Sequence, residues 1–144
     1  MQTVLSAHDD CMTEIVFTVD GYPPAKSEAK SMLAAGHLHS DRVHRLLEAA
    51  AAAVATTQGW TLQEEVSLGM ELALQSPVPP PSDATNYLGG VGDVLESKTR
   101  RGELAHLGAL ATTALYENDR MFHEVRYIWR PDSETRYRLR IWTR

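Results

Sequence analysis

Cysteine is all but missing from this chain of 144 residues: Cys11 stands alone, so no internal disulfide can form, which suits a reducing compartment. No stretch approaches the ~20 consecutive apolar residues of a membrane helix. Residues 1–14 show no basic start running into an apolar segment, so no signal peptide is legible. These absences point to a cytoplasmic protein. The recognisable catalytic loops are missing too. The run Gly89-Gly90-Val91-Gly92 has neither GxGxxG nor GxxxxGK spacing and no strand directly ahead of it, which excludes a phosphate loop. There is no Gly-x-Ser-x-Gly elbow. His37, His39 and His44 lack a cysteine pair to complete a zinc set, and Cys11 beside Asp9 and Asp10 makes no case for a nucleophile. An excess of cations is also absent. The net charge of −5 argues against a general affinity for nucleic acid, which needs basic surface.

What is present fits one globular domain. The length suits a single core, and 43% hydrophobic with 23% charged residues is an ordinary soluble composition. The charge is unevenly spread. Residues 1–97 hold 4 basic and 13 acidic side chains, a balance of −9, whereas residues 98–144 hold 10 basic and 6 acidic, a balance of +4. That carboxy-terminal surplus permits a local anion-binding face; a mixed solvated surface explains it equally well.

Residues 1–13 are polar and aperiodic and read as a flexible leader ahead of a single domain over residues 14–144. Ile15, Phe17 and Val19 alternate with Val16, Thr18 and Asp20, the pattern of a strand packed on one face. Gly21-Tyr22-Pro23-Pro24 breaks it. Val43, Leu46, Leu47, Ala50, Ala51 and Val54 then recur at three and four residues behind Ser40, a helix that Gly59 terminates. Val66, Leu68, Met70, Leu72 and Leu74 alternate as a second strand. Pro77-Val78-Pro79-Pro80-Pro81 is an extended connection, because proline cannot donate to a ladder. A glycine-notched helix is expected from Asp83 to about Lys98; three glycines in a helix indicate close approach of another backbone or a partner helix. A shorter helix is expected over 103–113. Residues 122–130 and 136–143 flank Pro131-Asp132-Ser133-Glu134 and read as a closing antiparallel hairpin, with Tyr137, Leu139 and Ile141 on one face and Arg136, Arg138 and Arg140 on the other. The order β-α-β-α-β-β predicts an α+β fold, a mixed sheet with helices packed on one face.

Two acidic clusters carry the candidate chemistry. Asp83, after the prolines, reads either as the N-cap of the following helix or as a metal ligand at an element boundary. Asn86 and Asp93, seven residues apart, share one helix face. Asp119, in Glu117-Asn118-Asp119-Arg120, reads either as a turn residue or as a second carboxylate brought beside Asp83. Two carboxylates sharing Mg²⁺ would activate water and offset charge on a phosphodiester.

The order of these segments, from Gly21-Tyr22-Pro23-Pro24-Ala25-Lys26 through Asp83-Ala84-Thr85-Asn86 and Asp93-Val94-Leu95 to Tyr116-Glu117-Asn118-Asp119-Arg120, resembles the RusA family of Holliday-junction resolvases over most of the chain from Ile15 onward. The resemblance implies a Mg²⁺-dependent, homodimeric endonuclease acting on branched DNA. It makes Asp83 and Asp119 metal ligands, with Asn86 and Asp93 supporting catalysis and Lys26, Lys30 and Arg120 binding nucleic acid. The family pattern's second aspartate is Thr85 here, its lysine is Gly89, and the first aspartate of its later pair is Asn118. Fewer carboxylates weaken a site for Mg²⁺, and the lost lysine removes a cation that would stabilise phosphate charge. The resemblance therefore covers both an active nuclease and a cleavage-impaired DNA-binding relative. The alternative is a non-catalytic homodimeric assembly or adaptor protein of the same fold.

Overall fold

Apolar residues at every second position draw four segments into one sheet. The computed structural model describes residues 13–26, 40–97 and 105–144. Its strands are β1 (Glu14–Asp20), β2 (Leu68–Ser76), β3 (Phe122–Pro131) and β4 (Arg136–Thr143). Two helices, α1 (Ser40–Thr56) and α2 (Ala84–Leu95), and two 3₁₀ segments, Ala105–Thr112 and Asp119–Met121, complete the described elements. The architecture is α+β. The sheet is mixed and runs β1-β4-β2-β3, with β4 antiparallel to both neighbours and β2 parallel to β3.

The period of two decides which face is dry. Ile15, Ile141 and Met70 form one cross-strand row, and Phe17, Leu139 and Leu72 the next. All but Phe17 are buried, beneath Val43, Leu46, Leu47 and Ala50 of α1 and Val91, Val94 and Leu95 of α2. Each such aliphatic side chain contributes roughly 1.5–3 kcal/mol on leaving water. The alternate residues face away from the helices.

The structure corrects the expected closing hairpin. β3 and β4 run antiparallel but are not neighbours, because β2 lies between them. The connection 132–135 passes over the end of β2, where the Asp132 N–H donates to the Ser76 carbonyl at 3.0 Å. Four residues cross two strand spacings of ~4.8 Å each as readily as they close a hairpin. β2 begins at Leu68 rather than Val66, which is exposed after the bend at Glu65 (φ 54°). The helix expected over 103–113 is a 3₁₀ segment from Ala105, kinked at Gly108 (φ 58°, ψ −133°). α2 ends at Leu95, short of Lys98, which lies outside the described residues together with Cys11, Lys30, His37 and His39. Thr13, grouped with the leader, is tied to β4: its N–H donates to Thr143 Oγ1 at 3.0 Å and its carbonyl accepts from Thr143 N at 2.9 Å.

Candidate functional site

Helix α2 carries polar groups at both ends, and those groups are the ones the sequence singled out. At its start the proline connection holds Asp83 in extended geometry (φ −88°, ψ 171°), the conformation of an N-cap. Asp83 Oδ1 accepts from the Asn86 backbone N–H at 2.8 Å and from the Thr85 hydroxyl at 2.9 Å. These two donors hold its carboxyl below the ordinary value of 3.8. Asp83, Thr85 and Asn86 are all exposed. Thr85, where the family pattern has an aspartate, spends its hydroxyl on the cap.

Residues 21–26 run back across this helix start. The Asn86 carbonyl accepts from the Lys26 N–H at 2.9 Å. A side chain at Gly90 would collide with the Pro24 carbonyl, so that glycine is what lets the extended segment lie on the helix. This is the close backbone approach expected from the notched helix. A Cβ at Gly89 would stand 3.3 Å from Lys26 Cδ, so the lysine stem lies across the position where the resembled family carries its own lysine. Tyr22 stacks on Tyr87 (centroids 6.5 Å apart), Tyr87 on Tyr127 (6.3 Å), and the Arg42 guanidinium stands 5.4 Å from the Tyr22 ring centroid. This aromatic ladder anchors the segment, leaving Lys26 exposed beside the cap.

Asp119 is found at the other end of α2. It opens a 3₁₀ turn capped by Asn118, whose Oδ1 accepts from Arg120 N at 2.8 Å. Its own N–H donates to Glu96 Oε2 at 3.1 Å, and its Oδ2 lies 3.8 Å from where a Gly92 Cβ would be. Beneath it, the buried Tyr116 hydroxyl donates to the Gly92 carbonyl at 2.7 Å. Burial first, and then the nearby charges of Asp119, Glu96 and Asp93, push that phenol well above its ordinary value. Asp93 thus belongs to the Asp119 end, and Asn86 to the Asp83 end. Arg120 is exposed at the Asp119 end.

The expected pairing of Asp83 with Asp119 does not form within one chain. Nine residues of helix separate Asp83 from Gly92, about 14 Å at 1.5 Å per residue. Two oxygens sharing one Mg²⁺ stand within about 4 Å of each other, since each lies 2.0–2.1 Å from the ion. The Asp83 and Asp119 donors do not fit a shared ion. Among the described residues no three His, Cys, Asp or Glu side chains converge on a common metal position. Glu96, which holds the Asp119 turn in place, was not singled out in the sequence; its spacing of three from Asp93 is the one signal that pointed to it. No protein-family model and no curated protein matches the chain.

Proposed function

We propose that this protein is a DNA-binding domain of RusA-like build that recognises branched DNA without efficient cleavage. What supports this reading is the arrangement about α2. Lys26 stays docked across Gly89 at the exposed helix start, whose N-cap Asp83 already takes the Asn86 N–H, while Asp119 lies about 14 Å further along the helix. A cation that would meet a DNA backbone is thus held at the helix start, and the carboxylate pair that would hold Mg²⁺ for hydrolysis is drawn apart. No hydrolytic step is assigned to Mg²⁺ on this donor set.

A four-way junction tests the reading directly, with retention measured at low and moderate salt and cleavage followed in Mg²⁺ or Mn²⁺. Salt-sensitive retention, weakened by Lys26→Glu, is expected, with negligible cleavage that Asp119→Asn leaves unchanged. Metal-dependent cleavage abolished by Asp119→Asn would instead establish a nuclease. No retention even at low salt would favour the homodimeric adaptor.

A further inference from the structure

Among the described residues, one face of the sheet carries no helix and has no role in the site at α2. Strand alternation places Arg136, Arg138 and Arg140 of β4 along its middle, with Arg126 and Arg130 of β3 beside them across β2. Apart from Gly69, no residue of this face is buried. The ten basic residues of the carboxy-terminal third are therefore not scattered: five of them stand on one side of one sheet. Acidic residues at the margins partly offset this row: Glu14 of the edge strand β1 holds Arg140 at 2.7 Å and Glu134 holds Arg136 at 3.8 Å, while Glu124 stands near the start of β3. Only Glu71 lies inside, and it serves two guanidiniums at once, Arg126 at 3.4 Å and Arg138 at 3.8 Å. Among the described residues Arg130 has no acidic partner.

Between β2 and β3 this face is indented. A notch of about 250 Å³ is lined by Ala73, Leu74, Gln75, Ile128 and Arg130. Gln75 Nε2 is buried there with no hydrogen-bond partner, an unmet donor next to an uncompensated cation. The notch is smaller than a drug-sized pocket of 300–1,000 Å³, so its volume suits a single planar ring rather than a whole nucleotide. At the far end of the face the Trp142 indole lies flat over Gly69, where any Cβ would overlap it, and the Arg140 guanidinium stacks 4.5 Å from the ring centroid.

We propose that this face binds single-stranded nucleic acid, with phosphates along the arginines of β4 and one unstacked base in the notch against Gln75 and Arg130. Charge complementarity selects the occupant. A second copy docked face to face would set arginine rows against arginine rows, which repel. A duplex needs an element that enters a groove, and among the described residues no helix projects from this side. A single strand needs flat surfaces on which bases stack and cations that follow its backbone, which planar guanidiniums, Arg140 on its indole among them, and a shallow sheet supply. This surface is separate from the α2 start and does not depend on the reading given for it.

Fluorescence anisotropy of the full chain with a labelled oligothymidylate of about 15 nucleotides tests the proposal, beside a duplex of the same length. Salt-sensitive binding that favours the single strand is expected. Arg136→Glu with Arg138→Glu should weaken it at least ~10-fold and lower the salt slope by about two, one for each lost phosphate contact. The neutral variant Arg138→Gln, a milder change at an exposed position, should lower the slope by about one. Gln75→Leu should weaken binding without changing the slope, because an amide neutralises no phosphate. Equal affinity for duplex, or arginine variants that bind like the wild type, overturns the proposal. So does a dimer in sedimentation that Arg138→Glu dissociates. Lys26→Glu separates the two sites: if it abolishes single-strand binding while the arginine variants do not, the α2 reading stands and this one falls.

Discussion

Gly89 and Gly90 are adjacent in sequence and meet different neighbours. A methyl group at Gly90 would run into the Pro24 carbonyl and the backbone next to it, atoms that move only if the whole 21–26 segment lifts from α2. At Gly89 the nearest atom is Cδ of an exposed lysine, which can swing aside. Gly90→Ala is therefore expected to destabilise the protein by about 1–3 kcal/mol, as overpacking does. Gly89→Ala should be neutral or stabilising by up to ~1 kcal/mol, the helix propensity gained over glycine. Urea unfolding of the two variants measures the contrast, and equal losses would contradict it. Neither role was visible in the sequence. The glycine run announced a close approach but not which glycine received it, because that depends on a segment some 65 positions earlier folding back onto the helix.

Helix α2 as an element depends on its cap. With the folded-state carboxyl of Asp83 held below 3.8, the cap stabilises the fold above that pH and loses its contribution as the pH falls through the lower folded value. Asn caps equally well but does not titrate. The difference in Tm between wild type and Asp83→Asn should stay constant from about pH 6 to 8 and move in favour of the variant below about pH 4. A difference that is flat to acid would refute the cap assignment. Elements with a strong period were legible: α1 from its three-and-four spacing, β2 and β4 from alternation, and the dry and wet faces of β4 in full. The β3–β4 hairpin was misread, since composition marks a turn without saying whether a third strand passes inside it. The Asp83–Asp119 pair was misread because α2 set the two residues at its opposite ends, a distance that sequence order does not encode.

For the molecule as a whole, the interior carries tyrosines that resist ionisation. Tyr116 and Tyr137 are buried, and burial raises both phenols above their ordinary value of 10. A group raised on folding stabilises the fold fully below its unfolded value and loses that contribution as the pH climbs towards its folded one. Stability should therefore fall from about pH 10 upward, with phenolate absorbance at 295 nm appearing together with loss of the fold rather than before it. Tyr116→Phe should cost about 1–3 kcal/mol at neutral pH, because the buried Gly92 carbonyl loses its donor, and should flatten the alkaline decline. The strand order has a consequence for synthesis. β4 is the last of the four strands to leave the ribosome, yet it bridges β1 to β2, pairing Glu14 with Trp142 across more than a hundred residues. A nascent chain that has completed β1, α1, β2 and β3 still holds β1 apart from the β2–β3 pair, with open edges between them, so assembly waits for β4 and is slow for the chain's size. Shortening the chain by this one strand would leave two unpaired fragments prone to aggregation rather than a smaller domain.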